Sequence, residues 1–303
     1  DLCAQVTLLF ARHGPRETRS RARMAFLIED WGIERFRAEL ERQWGRPLLS
    51  AGQDARTRRR SDHLGITQQR ATGTYAVGLC VPVGRSSATQ FGGLARLAEA
   101  YGGGQVRFTI EQNVILVDVP DRALPDLLAE PLLRELRPDP SPVARGTVSC
   151  IGIDYCNLAL AETKGAARTV VQHLESTVLA PAAGGVATGK RLRLRPIAMH
   201  WSGCPAACGN HQAADVGFLG GKARVDGAVV ETFDVFVEGR TGLSPQPGQR
   251  VLEKVPAAEI HLVAERLVQA HAHGESLVEV AREIAAERAA RGGQEEVAVA
   301  AGG

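Results

Sequence analysis

Four of the six cysteines in this 303-residue chain fall in two tight pairs. Cys150 and Cys156 frame CIGIDYC, and Cys204 and Cys208 frame CPAAC within MHWSGCPAACGNH. A disulfide across so short a loop is strained, and a secreted disulfide framework would be shorter and denser in cysteine. Four thiolates from two loops suit a soft metal centre better. A cubane iron–sulfur cluster takes four cysteines, whereas a structural zinc site usually shows Cys-x-x-Cys knuckles that neither spacing matches. On spacing alone, zinc and unrelated buried cysteines stay open as alternatives. The surroundings favour the cluster. Cys156 is expected to open a helix, whose positive dipole end would stabilise anionic sulfur. Small residues at Gly152, Ala206, Ala207 and Gly209 leave backbone N–H groups free to approach sulfides. Cys3 and Cys80 belong to no pair. Paired cysteines in a long chain point to a reducing compartment, and the expected location is cytoplasmic.

The elements that must position these pairs are legible in outline. Residues 1–45 read as helical: Leu27, Ile28 and Trp31, then Phe36, Leu40 and Trp44, recur at helical spacing. Ahead of them Arg16, Arg19 and Arg23 lie three and four apart, which places them on one helix face. Such a face is either solvated or a row of guanidinium groups for a polyanion. Residues 46–73 are polar and without period, hence an expected linker. From Tyr75 a strand (YAVGLCVPVG), a helix ending on glycines (SATQFGGLARLAEAYGG), a strand or strand pair (QVRFTIEQNVILVDVP) and one or two short helices make a small α+β unit over 74–140. A second unit over 145–292 holds both cysteine pairs. It has a helix expected from Asn157, a strand running into MHW, strands and turns from ADVGF, and two amphipathic helices. Lys164 and Arg168 are expected on the helix behind Cys156, facing solvent or a cofactor carboxylate. Residues 293–303 show no packing pattern and read as a flexible tail.

Composition narrows the class. A chain 44% hydrophobic and 23% charged, with net charge +2, is ordinary globular composition of about two domains. That charge is too mild for a nucleic-acid partner. No apolar run approaches the ~18 residues of a spanning helix, so no membrane association is expected. The start, DLCAQVTLLFARHG, resembles no secretory signal and reads as the middle of a helix, as in a fragment or processed piece.

SGCPAACGNHQAADVGF resembles the signature of the siroheme-containing nitrite and sulfite reductases: Gly, Cys, three residues, Cys, six residues, then Asp-Val-Gly-Phe. The upstream pair with LALAETKGAA is similar to that family's first cluster pair. CVPVGRSSATQFGGLARLAEAYGGGQVRFTIEQNVILVDVP resembles its second ferredoxin-like half-domain, and RETRSRARMAFLIEDWGIERF the end of its preceding siroheme-binding segment. MHWSGCP is nearer the ferredoxin-dependent nitrite reductases. The resemblance implies an α+β fold and a C-terminal part lacking the N-terminal half. It also implies a 4Fe–4S cluster on Cys150, Cys156, Cys204 and Cys208, with Cys208 shared with siroheme iron, and siroheme carboxylates on Arg19 and Arg23. The activity implied is six-electron reduction of nitrite to ammonia, in nitrate assimilation. Ferredoxin is the donor, a small anion the substrate, and the full-length protein a monomer. Sulfite reduction, a cobalamin-pathway precorrin synthase and a non-catalytic four-cysteine metal or electron-transfer module are the alternatives.

Departures from that pattern fall near the ligands. Ala206 and Ala207 stand where Asn and Ser are usual, Ile151 where Thr is, and Glu238 where Gly is common. Glu111 is acidic where the corresponding element of the other half carries Arg, so this half resembles the non-catalytic copy. The catalytic and anion-binding residues are therefore unknown. His200 and His211 flank the second pair and read as structural histidines with satisfied ring nitrogens.

Overall fold

A computed structural model describes residues 1–53, 62–179, 194–225, 227–242 and 244–301, with Ser20 and 291–301 described by backbone alone. The chain divides after residue 57 into two compact units.

The first unit is three helices, α1 (Leu2–His13), α2 (Met24–Trp31) and α3 (Ile33–Trp44). Leu9, Leu27, Phe36 and Leu40 form its buried core, in keeping with the 3.6-residue spacing of the apolar residues. The arginine stripe does not form. Pro15 lacks an N–H and holds Gly14 extended (φ −64°, ψ 141°), so α1 stops at His13. Arg16 lies in the following loop with its guanidinium 4.6 Å from the Phe10 ring centre, Arg19 opens a 3-10 turn, and Arg23 is the extended N-cap of α2. The three arginines thus share no helix face. Arg23 donates to the Ala22 carbonyl at 3.0 Å, while the exposed Arg19 side chain makes no hydrogen bond among the described residues.

The second unit begins with a four-stranded antiparallel sheet. Its strands are β1 (Gly65–Gln68), β2 (Thr74–Leu79), β3 (Val106–Phe108) and β4 (Val114–Pro120), in the order β1-β2-β4-β3. Helix α4 (Ala88–Tyr101), started by a Ser87–Gln90 capping box, buries Leu94, Leu97 and Ala98 with Val77, Leu79, Leu116 and Val119. Strand β1 falls inside the stretch expected to be a linker. It is an edge strand held by backbone pairing to β2, with Gly65 half-buried and the other three residues exposed, so no apolar alternation announces it. Asp62 and Arg145 then pair across the unit, with Nη2 2.8 Å from Oδ1. Two short helices follow, α5 (Leu124–Ala129) and α6 (Pro142–Arg145).

A five-stranded sheet carries the cysteines: β5 (Thr147–Ser149), β6 (Met199–Ser202), β7 (Val216–Val225), β8 (Ala228–Val237) and β9 (Gln249–Pro256), in sequential order. β5, β6 and β7 are parallel, and the rest is antiparallel. Helices α7 (Lys164–Thr177), α8 (Ile260–His273) and α9 (Leu277–Ala301) supply much of its core. The backbone of α9 runs on through most of the expected tail. No helix of the described residues is long and apolar enough to cross a membrane.

One departure in this sheet has a local explanation. Glu238 has φ +62°, a left-handed conformation that glycine adopts without strain. Such strain costs about 1–2 kcal/mol for a residue with a Cβ, and the added freedom of an unfolded glycine offsets about 0.4–1 kcal/mol of that. Glu238→Gly should therefore stabilise the fold by about 0.5–1 kcal/mol. Urea unfolding measures this, and a lowered midpoint would contradict it.

Candidate metal centre

Both cysteine pairs leave the same end of two adjacent parallel strands. Ser149 lies opposite Trp201 in the β5–β6 register, and Cys150 N–H extends the ladder to the Trp201 carbonyl at 3.0 Å. Cys150 follows β5 directly, and Cys204 comes two residues after β6. Trp201 fixes this end of the sheet from beneath: it is fully buried, stacked on Phe218 at 3.8 Å and edge-on to Phe233 at 5.1 Å.

The two loops then interlock through glycine. Gly203 N–H donates to Cys150 Sγ at 3.1 Å, and Gly152 N–H to the same sulfur at 3.4 Å. The Gly203 carbonyl in turn accepts from Leu160 N–H at 2.7 Å. A Cβ on Gly203 would stand 3.1 Å from Ala159 Cβ, and one on Gly152 2.7 Å from Thr163 Oγ1, with Gly152 also at φ +65°. Side chains there would push the loops apart. Thr163 Oγ1 donates to the Cys150 carbonyl at 2.9 Å and lies 3.6 Å from its sulfur. In the second loop Gly209 N–H donates to Ser202 Oγ at 3.2 Å, and left-handed Ala207 and Asn210 turn the chain sharply around Cys208. Cys208 is exposed, and Cys150, Cys156 and Cys204 are half-buried.

Cys156 does not open a helix. Residues 150–163 are bends and turns, and α7 starts only at Lys164. Leu, Ala and Glu at 157–163 favour helix, but Leu160 N–H is committed to the second loop, which an i−4 ladder would forbid. The helix dipole therefore gives Cys156 no help. Glu162 caps α7 instead, accepting from Gly165 N–H at 2.8 Å and Ala166 N–H at 2.9 Å. Lys164 is buried rather than facing solvent, and Arg168 lines a cavity of about 840 Å³ together with Arg85, Tyr155 and Glu175.

The histidines divide. His200 Nδ1 lies 3.2 Å from the Asn210 carbonyl. His211, 2% exposed, packs edge-on to Phe236 at 4.7 Å, and neither ring nitrogen has a partner among the described residues. Burial lowers its pKa and favours the neutral ring. The expected satisfied histidine is thus found at His200 and not at His211.

The donor set fits an iron–sulfur cluster. It offers four soft thiols, two backbone N–H groups already aimed at one sulfur, and close-packed glycines around them. Among the described residues no group of three or more His, Cys, Asp or Glu side chains is arranged to hold a single metal ion, the four paired cysteines included.

Residues 66–133 match the nitrite/sulfite reductase ferredoxin-like half domain, and residues 1–48 the nitrite and sulphite reductase 4Fe-4S domain. The chain is 42% identical over 260 residues to the ferredoxin–nitrite reductase of Synechococcus elongatus, covering 86% of this chain and 48% of that protein. It is 40% identical to the assimilatory ferredoxin-dependent nitrite reductase of Haloferax mediterranei, covering 87% of this chain and 45% of that one. The solved Mycobacterium tuberculosis NirA protein superposes with a TM-score of 0.79 at 33% identity, over 91% of this chain and 49% of NirA. The chain belongs to the nitrite/sulfite reductase family. Cofactors of this family member are a 4Fe–4S cluster and siroheme, and its fold is α+β with a ferredoxin-like half-domain. The chain spans about half the length of the curated relatives it matches. Neither family match includes the four paired cysteines.

Proposed function

We propose that this chain is the cluster-bearing part of a cytoplasmic, assimilatory nitrite reductase. Cys150, Cys156, Cys204 and Cys208 hold the 4Fe–4S cluster, with exposed Cys208 shared with siroheme iron. Arg19 and Arg23 take siroheme carboxylates. The reaction is six-electron reduction of nitrite to ammonia, with ferredoxin as donor. The observation that carries this reading is the Gly203 N–H bond to Cys150 Sγ, which joins the two ligand loops beside Cys204. When bound, the cofactors supply single electrons to the anion. The chain's own part is to present Cys150 and Cys204 just beyond the ends of β5 and β6 and to direct two backbone dipoles at the Cys150 sulfur. The nitrite reductase names of the Synechococcus and Haloferax relatives support the substrate and the donor.

Anaerobically purified full-length protein should contain iron and acid-labile sulfide at about four each per chain, together with siroheme, and should consume nitrite with reduced ferredoxin. Stoichiometric zinc without sulfide would overturn the centre. Turnover of sulfite but not nitrite would overturn the substrate.

Arg19 and Arg23 have their own test. A charge-assisted bond to a carboxylate is worth about 1.5–3 kcal/mol where water is excluded. Arg19→Gln with Arg23→Gln in the full-length protein should lower siroheme content several-fold while iron–sulfur content falls less. Lys at either position should restore it only in part, because a point charge cannot reproduce the guanidinium fork. Full siroheme in the double Gln variant would return both arginines to the solvated surface.

A further inference from the structure

Lys164 is 6% exposed and begins α7. Its Nζ donates to the Val83 carbonyl and, at 3.3 Å, to the Ser149 carbonyl. Both of its hydrogen bonds among the described residues go to neutral oxygens. A buried ammonium with dipoles alone for partners carries a large desolvation penalty, which nearby negative charge offsets. Burial and then Arg85 lower its pKa, while Cys150 and Glu162 act in the opposite direction.

The carbonyls it holds are specific. Ser149 immediately precedes Cys150, and its carbonyl also accepts from Gln112 Nε2 at 2.7 Å. Gln112 sits at the tip of the β3–β4 hairpin with φ +66°, and Val83 in the turn after β2 with φ +50°. Two left-handed turns of the ferredoxin-like half-domain therefore converge on the strand end that presents Cys150. Strained conformations of this kind persist where the surroundings over-determine them. Lys164 is the charge at that junction.

We infer that Lys164 is a positioning and charge-compensating residue of the cluster, which ties the half-domain to the Cys150 strand and raises the cluster's reduction potential. The inference rests on Cys150 being a ligand. One-electron reduction adds one negative charge to the cluster, taken from an external reductant, and neither makes nor breaks a bond at Lys164. An adjacent positive charge favours the more negative, reduced state. Removing it makes reduction harder.

The test is an EPR-monitored redox titration of the full-length holoenzyme with dithionite as reductant. Lys164→Met keeps an unbranched side chain one atom shorter and removes its charge. At a fixed potential the reduced-to-oxidised ratio should fall about tenfold, equivalent to about 59 mV for one electron. Lys164→Arg should stay within about threefold of wild type, the upper part of what a retained charge at a shifted position allows. Arg85→Gln removes a cation that solvent screens, its pair with Asp154 being about one-third exposed, and should also stay within that range. An unchanged ratio in a cluster-loaded Met variant would overturn the inference. If the Met variant retains no cluster, Lys164→Gln is titrated in its place. Should both uncharged variants lack the cluster, a loaded Arg variant supports the need for charge, and an empty one shows that shape alone is required. Wild-type protein without iron and sulfide would instead refute the ligand assignment.

Discussion

Cys208→Ser in the full-length protein should reduce iron and acid-labile sulfide from about four per chain to near zero and abolish the spectral coupling to siroheme. A serine oxygen is a hard, weakly acidic donor and a poor match for iron already bonded to sulfide. Cys208 is also the exposed member of the set, on a turn between left-handed Ala207 and Asn210. Cys3→Ser and Cys80→Ser are the controls. Cys3 is exposed on α1. Cys80 is buried, and burial pushes its thiol up to about 11, which leaves almost no thiolate to bind metal. Both variants should keep their iron. A fully loaded Cys208→Ser protein would show that the ligand assignment is wrong.

Gly209→Ala should be nearly as damaging, although it touches no ligand atom. An added Cβ would lie 1.9 Å from the Trp201 carbonyl oxygen. That oxygen also accepts the Cys150 N–H at 3.0 Å, so one methyl group disturbs both cysteine loops together. Backbone cannot swing aside as a side chain can, and the cost should reach about 3 kcal/mol, the upper end of the overpacking range. The expected results are a large fall in melting temperature and loss of most of the iron. Gly92→Ala is the contrast. Gly92 lies within α4 with nothing within 4 Å of its absent Cβ, and alanine there should stabilise the fold by about 0.5–1 kcal/mol. Equal behaviour of the two variants would refute the close-approach argument.

The cysteine pairs are legible in the sequence because ligand type and spacing are local properties. The helices α3, α4, α7 and α8 are legible because amphipathic period is local too. The interlock of the loops is not. It depends on β5 lying beside β6, a pairing of distant short strands with no local signal. Leu158, Ala159, Leu160 and Ala161 favour a helix behind Cys156, yet Leu160 gives its N–H to Gly203. The arginine stripe fails because Thr18 and Arg23 are extended and Ala22 is non-helical, breaks for which the sequence carries no clear signal. Glu238 gives a usable clue: a residue found where glycine is common marks a left-handed position, and the backbone has one there. Gln112 and Lys164 carry no comparable signal, since a polar residue that binds carbonyls across a fold looks the same in sequence as one facing water.

The parallel pairing of β5 with β6 also dictates an order of events during biosynthesis. Antiparallel neighbours can zip from a tight turn, but parallel strands need a long crossover, here containing α7, before their first contact. While the crossover is incomplete, Cys150 and Cys156 exist as a half-set of thiols exposed to oxidants and stray metals. Gly203 N–H reaches Cys150 Sγ only after the strands meet. The interlock of the two loops therefore requires the β5–β6 pairing, so the full set of paired cysteines is brought together only by closing a long crossover.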